Sequence, residues 1–274
     1  MDLEKLDGLF KIGRIFALTP SAIDNKIPNL FQKCYQILTF VVYTVCFIVT
    51  NSCIEPYYDR FIPMFKVLFV SLKISYYAHS VYVLIVLMVM KRHLWFKLIH
   101  NLQCVDHQVD FQRKSFWLII VVAHLVFWVI ALFEIYIYFL IFDLTYAGAN
   151  IFECFENYSL FFYAISACVV LSLLLSRYKH QILLLKKRTI NIKKVKNNIR
   201  LLKESVDIFN NIFGWVILSN TFYGALKCLM YINIMVKHEY VSKNLLLQLH
   251  MCATLLLIWA GILGFVMMCD AVLK

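Results

Sequence analysis

Six apolar stretches, at residues 35–53, 65–90, 116–142, 159–176, 212–236 and 245–269, occupy more than half of this chain of 274 residues. A hydrocarbon core about 30 Å thick needs roughly 20 mostly apolar residues in helical form, and all six meet or closely approach that. Backbone polar groups left open in lipid are prohibitively costly, so continuous runs of this length must be helices. The predicted fold class is therefore all-α: a polytopic membrane helical bundle with six transmembrane helices. The composition agrees, with 62% hydrophobic residues against about 45–50% in soluble domains.

The loops between these stretches alternate in charge. Segment 1–33 carries Lys5, Lys11, Arg14, Lys26 and Lys33, loop 91–115 carries five basic residues, and segment 177–211 carries ten. On the other side, Arg60 stands alone in 54–64, segment 143–158 has none, and 237–244 has Lys237 and Lys243. Twenty against three places the basic side, and with it the N-terminus, in the cytoplasm. The same distribution accounts for the net charge of +11 without a nucleic-acid partner. A cytoplasmic N-terminus argues against G-protein-coupled receptors. No helix has the Lys/Arg spacing of a voltage sensor, and no TVGYG-like filter lies between the last two stretches. Nothing in the first 33 residues reads as a cleavable signal.

The chain divides into a cytoplasmic segment at 1–34, where Pro20 and Pro28 break any long helix, and transmembrane helices one to four at 35–176. A basic helical loop at 177–211 and helices five and six at 212–274 complete the division. In 177–211, Ile190, Ile192, Val195, Ile199, Leu202, Val206 and Phe209 form an approximate stripe of helical period. Two readings stand side by side: a face lying on anionic lipid, or a packing surface between subunits.

No catalytic constellation is present: there is no Walker loop, HExxH, G-x-S-x-G or GxGxxG in a suitable context. The chain is not expected to be an enzyme, nor to need a cofactor. His93, His100 and His107 recur every seven residues, but without Cys or carboxylate neighbours in a tight array they read as a solvated face rather than a metal site. Cys53 and Cys154 both fall on the predicted outer side, where a disulfide could join them. Asn157-Tyr158-Ser159 forms a glycosylation sequon abutting the fourth helix.

The intramembrane polar residues carry more information. Lys66, Lys73 and His79 interrupt the second stretch, Glu134 the third and Lys227 the fifth. An isolated charge at the bilayer centre costs about 2.5–3.5 kcal/mol on insertion scales, so these groups must face protein or water. The economical arrangement pairs Glu134 with Lys73 or Lys227 around a watery cavity. Around them lie Tyr76, Tyr77, Phe133, Tyr136, Tyr138, Phe161, Phe162, Tyr163, Tyr223 and Tyr231. Rings for packing with a few polar tips suit a small organic ligand, although interfacial belts have the same composition. The candidate ligand-binding set is Lys73, Tyr76, Tyr77, Glu134, Tyr138, Phe162, Tyr163, Tyr223, Lys227 and Tyr231. Gly261 and Gly264 are expected to permit close helix contact.

The fifth helix opens IFNNIFGWVILSNTFYG, with Phe213, Gly214 and Trp215 preceded by Asn210 and Asn211, and the sixth closes on Cys269 followed by DAVLK. Together with the inside N-terminus and the long basic segment after helix four, these features resemble the insect gustatory receptors over essentially the whole chain. The resemblance implies a plasma-membrane, ligand-gated, non-selective cation channel assembled as a homo- or hetero-tetramer. It also implies a tastant pocket in the outer half of each subunit, and an inner helical anchor that would include 177–211. The family's seventh helix carries a TYxxxxxQF signature and lines the pore; this sequence stops at Lys274, so the expectation is a receptor chain lacking that helix. A truncated non-conducting or accessory membrane protein, or less readily a small transporter, is the alternative. A transporter would show two related halves, and helices one to three do not resemble four to six.

Overall fold

The computed structural model describes residues 3–19, 30–58, 63–106, 117–141, 144–187, 192–237 and 245–273. Among them the regular structure is helical throughout: α1 (Leu3–Ile15), α2 (Leu30–Tyr58), α3 (Pro63–Val81), a π-helical continuation (Tyr82–Met90), α4 (Arg92–Asp106), α5 (Trp117–Ile141), α6 (Leu144–Lys187), α7 (Ile192–Lys237) and α8 (Leu245–Leu273). Six of these are long and apolar enough to cross a membrane, so the chain is a multi-pass α-helical membrane protein. Large apolar side chains such as Phe31, Leu38, Val45, Leu125, Leu132, Leu256 and Met267 stand exposed on the bundle exterior. In water that surface would aggregate; in lipid it is solvated by acyl chains.

Two helices depart from the predicted spans. Hydropathy puts the fourth at 159–176 and the fifth at 212–236, but α6 runs 44 residues and α7 46, roughly 66 and 69 Å at 1.5 Å per residue. Each is more than twice the thickness of the hydrocarbon core. Segment 143–158, an outer loop by hydropathy, is therefore helical from Leu144 onward. Segment 177–211 is the continuation of α6 and the beginning of α7 on either side of residues 188–191, which lie outside the described set.

The apolar stripe of 177–211 faces neither lipid nor another subunit over most of its length. Val195, Leu202 and Phe209 are buried within the chain itself, where α7 packs on α4 and α6. Ile192 alone of the described stripe stands well exposed, and Ile190 lies outside the described residues. Polar ties reinforce this three-helix stalk. Glu204 of α7 accepts from Lys97 Nζ at 2.7 Å and Asn101 Nδ2 at 3.2 Å of α4, and Asn198 Nδ2 reaches Gln181 Oε1 at 3.4 Å.

The N-terminal segment is more than a lead-in. Within it, α1 packs Leu9 and Phe10 into the main core, and the Phe10 ring meets Trp95 of α4 edge-on at 5.5 Å. Trp95 in turn meets Phe213 of α7 at 5.3 Å. Gly13 lets α1 approach α6 this closely: a Cβ there would lie 2.6 Å from Phe162 Cζ and 2.5 Å from Thr19 Cγ2. Pro20 and Pro28 lie outside the described residues.

Close approach of the last helix also depends on a glycine, but on Gly224 of α7. A Cβ at Gly224 would fall 2.7 Å from Ile258 Cγ2 and 3.3 Å from Ile262 Cδ1, whereas one at Gly261 or Gly264 would meet nothing within 4 Å. The expectation that Gly261 and Gly264 make this contact is thereby corrected: they lie on the same helix as Ile258, but a side chain on either would meet open space rather than a neighbouring helix. Gly224→Val is expected to lower stability by about 1–3 kcal/mol through overpacking, while Gly261→Val should change it by less than about 0.5 kcal/mol. Unfolding of the two variants in detergent with rising dodecyl sulfate separates these outcomes.

Candidate functional site

Near one end of the bundle, where Pro63, Ile141, Leu144, Lys237 and Leu245 lie, the buried surfaces of α3, α5, α6, α7 and α8 form a second core cluster that includes Phe65, Leu72, Tyr76, Ile137, Tyr223 and Met251. Within it, Lys73 from α3 and Lys227 from α7 converge on one carboxylate of α6. Lys73 Nζ donates to Glu153 Oε2 at 3.0 Å and Lys227 Nζ to Glu153 Oε1 at 3.1 Å. Both lysines are almost wholly buried and the Glu153 side chain is 12% exposed. Each of the two lysines sits about ten residues inside its helix end, or roughly 15 Å, so the pairs lie at membrane depth.

This arrangement corrects the predicted pairing. Glu134 does not bridge Lys73 or Lys227; Glu153 takes that role, and sequence reasoning misses it because 143–158 reads as a loop. Glu153, Glu156 and Asn157 depress the local hydropathy and displace the predicted start of the fourth helix to 159. The signal that could have found Glu153 is the demand itself: two lysines buried in apolar helices require an acid, and residues 153 and 157 share one helical face.

A hydrogen-bonded layer lies beside the ion pairs. The hydroxyls of Tyr76 and Tyr223 both donate to Asn157 Oδ1, the latter at 2.9 Å, with their rings 4.5 Å apart. The Asn157 amide thus belongs to an interior network, not to an exposed sequon. The ammonium of Lys227 also stands over the rings of Tyr223 and Tyr231, 5.7 and 5.6 Å from their centroids. Such contacts favour a cation further when water is excluded. His79, one of the groups that interrupt the second span, faces α7 as well. Its Nδ1 lies 3.0 Å from Ser219 Oγ, which itself donates to the Val216 carbonyl.

Asn157 and Tyr223 also line a cavity of about 70 Å³ between α5, α6, α7 and α8. Phe127 and Phe161, stacked with centroids 4.6 Å apart, supply aromatic wall, and Glu134, Asn220 and Thr254 supply polar atoms. Glu134 accepts from Tyr138 at 3.3 Å and lies 3.5 Å from His250 Nε2. Thr254 Oγ1, which borders the cavity, is buried without a hydrogen bond within the described structure. Buried polar atoms of this kind usually have a partner, so the cavity offers unused capacity to a guest.

Of the ten predicted ligand-binding residues, Lys73, Tyr76, Tyr223, Lys227 and Tyr231 gather around Glu153, Glu134 lines the adjoining cavity, and Tyr138 donates to Glu134. Three others are placed elsewhere. Tyr77 turns toward α2 and stacks on Phe47 at 4.7 Å. Phe162 and Tyr163 belong to the main core, where Tyr163 donates its hydroxyl to the Leu18 carbonyl below α1. Within the wider aromatic set, Tyr136 is 56% exposed on the bundle exterior. Cys53 and Cys154 are free thiols. His93 and His100 stand exposed on α4, and His107 lies outside the described residues. Neither a family model nor a curated protein matches the chain.

Proposed function

We propose that the chain is a subunit of a plasma-membrane chemoreceptor of the insect gustatory type, a ligand-gated non-selective cation channel, with its N-terminus in the cytoplasm. On this reading a small organic tastant binds the cavity bordered by Glu134, Asn157, Tyr223 and Thr254. The observation that carries the proposal is the continuity of this cavity with the buried Lys73–Glu153–Lys227 pairs through Asn157 and Tyr223. Polar groups are costly at membrane depth, and arrays of them there mark ligand or ion sites.

The size of the cavity bears on mechanism. Ligand pockets run to about 300–1,000 Å³, several times the 70 Å³ present here. A tastant therefore seats only as the helices around the cavity part, so its affinity is higher for the opened arrangement. A ligand with that preference shifts the population toward it, which couples occupancy to helix movement. In a tetramer, the movement would reach the pore through whichever segments line it.

The test is binding by the chain reconstituted in lipid nanodiscs, monitored by tryptophan fluorescence against a panel of sugars, amines and alkaloids. Cation currents are recorded in parallel from cells that express it. Saturable binding is expected for at least one compound, weakened about tenfold or more by Glu134→Gln or Asn157→Leu, each of which removes a polar contact from the cavity. Binding insensitive to both substitutions places the ligand elsewhere. Absence of both binding and current across the panel overturns the reading.

A further inference from the structure

At the other end of the second span the chain turns a corner that builds a different kind of site. The π-helical turns finish at Met90, and the backbone of Lys91 leaves helical geometry while its N–H still bonds the Val86 carbonyl at 2.8 Å. The Lys91 ammonium points inward, to the Asn211 carbonyl of α7 at 2.7 Å and the Tyr82 hydroxyl at 3.0 Å. With that cation turned away, α4 starts at Arg92 and presents His93, Lys97 and His100 along one face.

These side chains border a groove of about 460 Å³. Arg92 forms its inner wall, its guanidinium 5.5 Å from the centroid of the Phe96 ring. The rim nearest the span is apolar: Val89 and Met90 are 62% and 66% exposed, continuous with the lipid-facing surface of the second span. None of the described residues lining the groove is acidic; behind it Glu204 of α7 holds Lys97 at 2.7 Å.

We propose that this groove binds an anionic phospholipid of the surrounding membrane, with the headgroup phosphate held by Arg92, Lys97 and the two exposed imidazoles. The acyl chains would lie on Val89 and Met90. The combination is what selects a lipid: a basic wall at the membrane boundary attracts anionic headgroups, and an apolar rim facing the hydrocarbon has nothing to offer a soluble anion. The site lies at the basic end of the bundle, far from the Glu153 cluster, and stands independently of the chemoreceptor reading. Occupancy would fix the corner between the second span and α4, which Lys91 ties to α7.

The experiment is native mass spectrometry of the full chain released from nanodiscs of equal parts phosphatidylcholine and phosphatidylinositol bisphosphate. The anionic lipid is expected to be retained about tenfold over its zwitterionic competitor. His93→Glu with His100→Glu, both at exposed positions that leave the fold intact, should abolish that preference. Lys194→Glu with Lys196→Glu, which alters exposed charge on α7 at the same end, should preserve it. Equal retention of the two lipids by the unaltered chain overturns the proposal. So does loss of preference to the same extent in both double variants, because attraction would then be diffuse rather than sited.

Discussion

Replacing Glu153 by glutamine is expected to destabilise the protein by about 3–5 kcal/mol, the range for removing one partner of a buried ion pair. The direction comes from geometry. Two ammonium groups, at 3.0 and 3.1 Å, share one carboxylate, and neutralising it leaves both at membrane depth without a counter-charge. Unfolding in mixed micelles with increasing dodecyl sulfate measures the change. A triple variant, Glu153→Leu with Lys73→Met and Lys227→Met, should recover most of the loss, since apolar replacement of an entire buried ionic group is often neutral or stabilising. If the single variant unfolds at the same detergent fraction as the unaltered protein, the pairs contribute nothing measurable. If the triple variant is as unstable as the single one, packing rather than charge is responsible.

Trp95→Ala should be comparably damaging, at about 3–5 kcal/mol for truncating a buried aromatic. Trp95 is 2% exposed and its ring is gripped edge-on from two sides, by Phe10 of α1 and Phe213 of α7. Its loss opens a cavity where three helices meet, and should release α1 before the rest of the bundle unfolds. Limited proteolysis within residues 16–30 would therefore accelerate in Trp95→Ala even under conditions where the spans stay folded. Trp95→Phe, which keeps one edge-on contact, should lose markedly less stability. Equal proteolysis of the alanine variant and the unaltered chain would show that α1 is held by other contacts.

Much of this fold is legible in the sequence because lipid leaves few options. Long apolar runs must be helices, and their number and approximate positions can be read directly. Where a helix carries polar groups at membrane depth, the same logic misleads. Glu153, Glu156 and Asn157 lower hydropathy as a loop would, yet they are helical, and α3 and α7 supply partners to Glu153 and Asn157; that information is distant in sequence. The demand for an acid opposite Lys73 and Lys227 is legible, but Glu134 is the nearest apparent candidate only while Glu153 lies in a supposed loop. Phe162 and Tyr163 look like the neighbouring aromatics, and only the return of α1 into the bundle assigns them to the main core. Similarly, the stripe on 177–211 is visible, while its true partners on α4 and α6 depend on where those helices end. Nothing in the Tyr82–Met90 residues, a plain apolar run, announces π-helical turns.

The unbroken course of α6 has a mechanical consequence. The helix is clamped where Phe162 and Tyr163 pack against α1 and Phe213, ten residues from Glu153 and twenty-four from Lys187. At 1.5 Å per residue those arms are about 15 and 36 Å. Beyond that clamp Val170, Leu171 and Leu174 stay in the main core and Gln181 is tied to Asn198 of α7, so the rod moves together with what it is packed on. Motion where the carboxylate meets its two ammonium groups would be carried along the rod to its far arm, and α7, tied there through Asn198, would move with it. A small rearrangement among three buried charges thus needs no chain of intermediaries to be felt beyond the membrane, because one helix is both the seat of the event and the pointer that reports it.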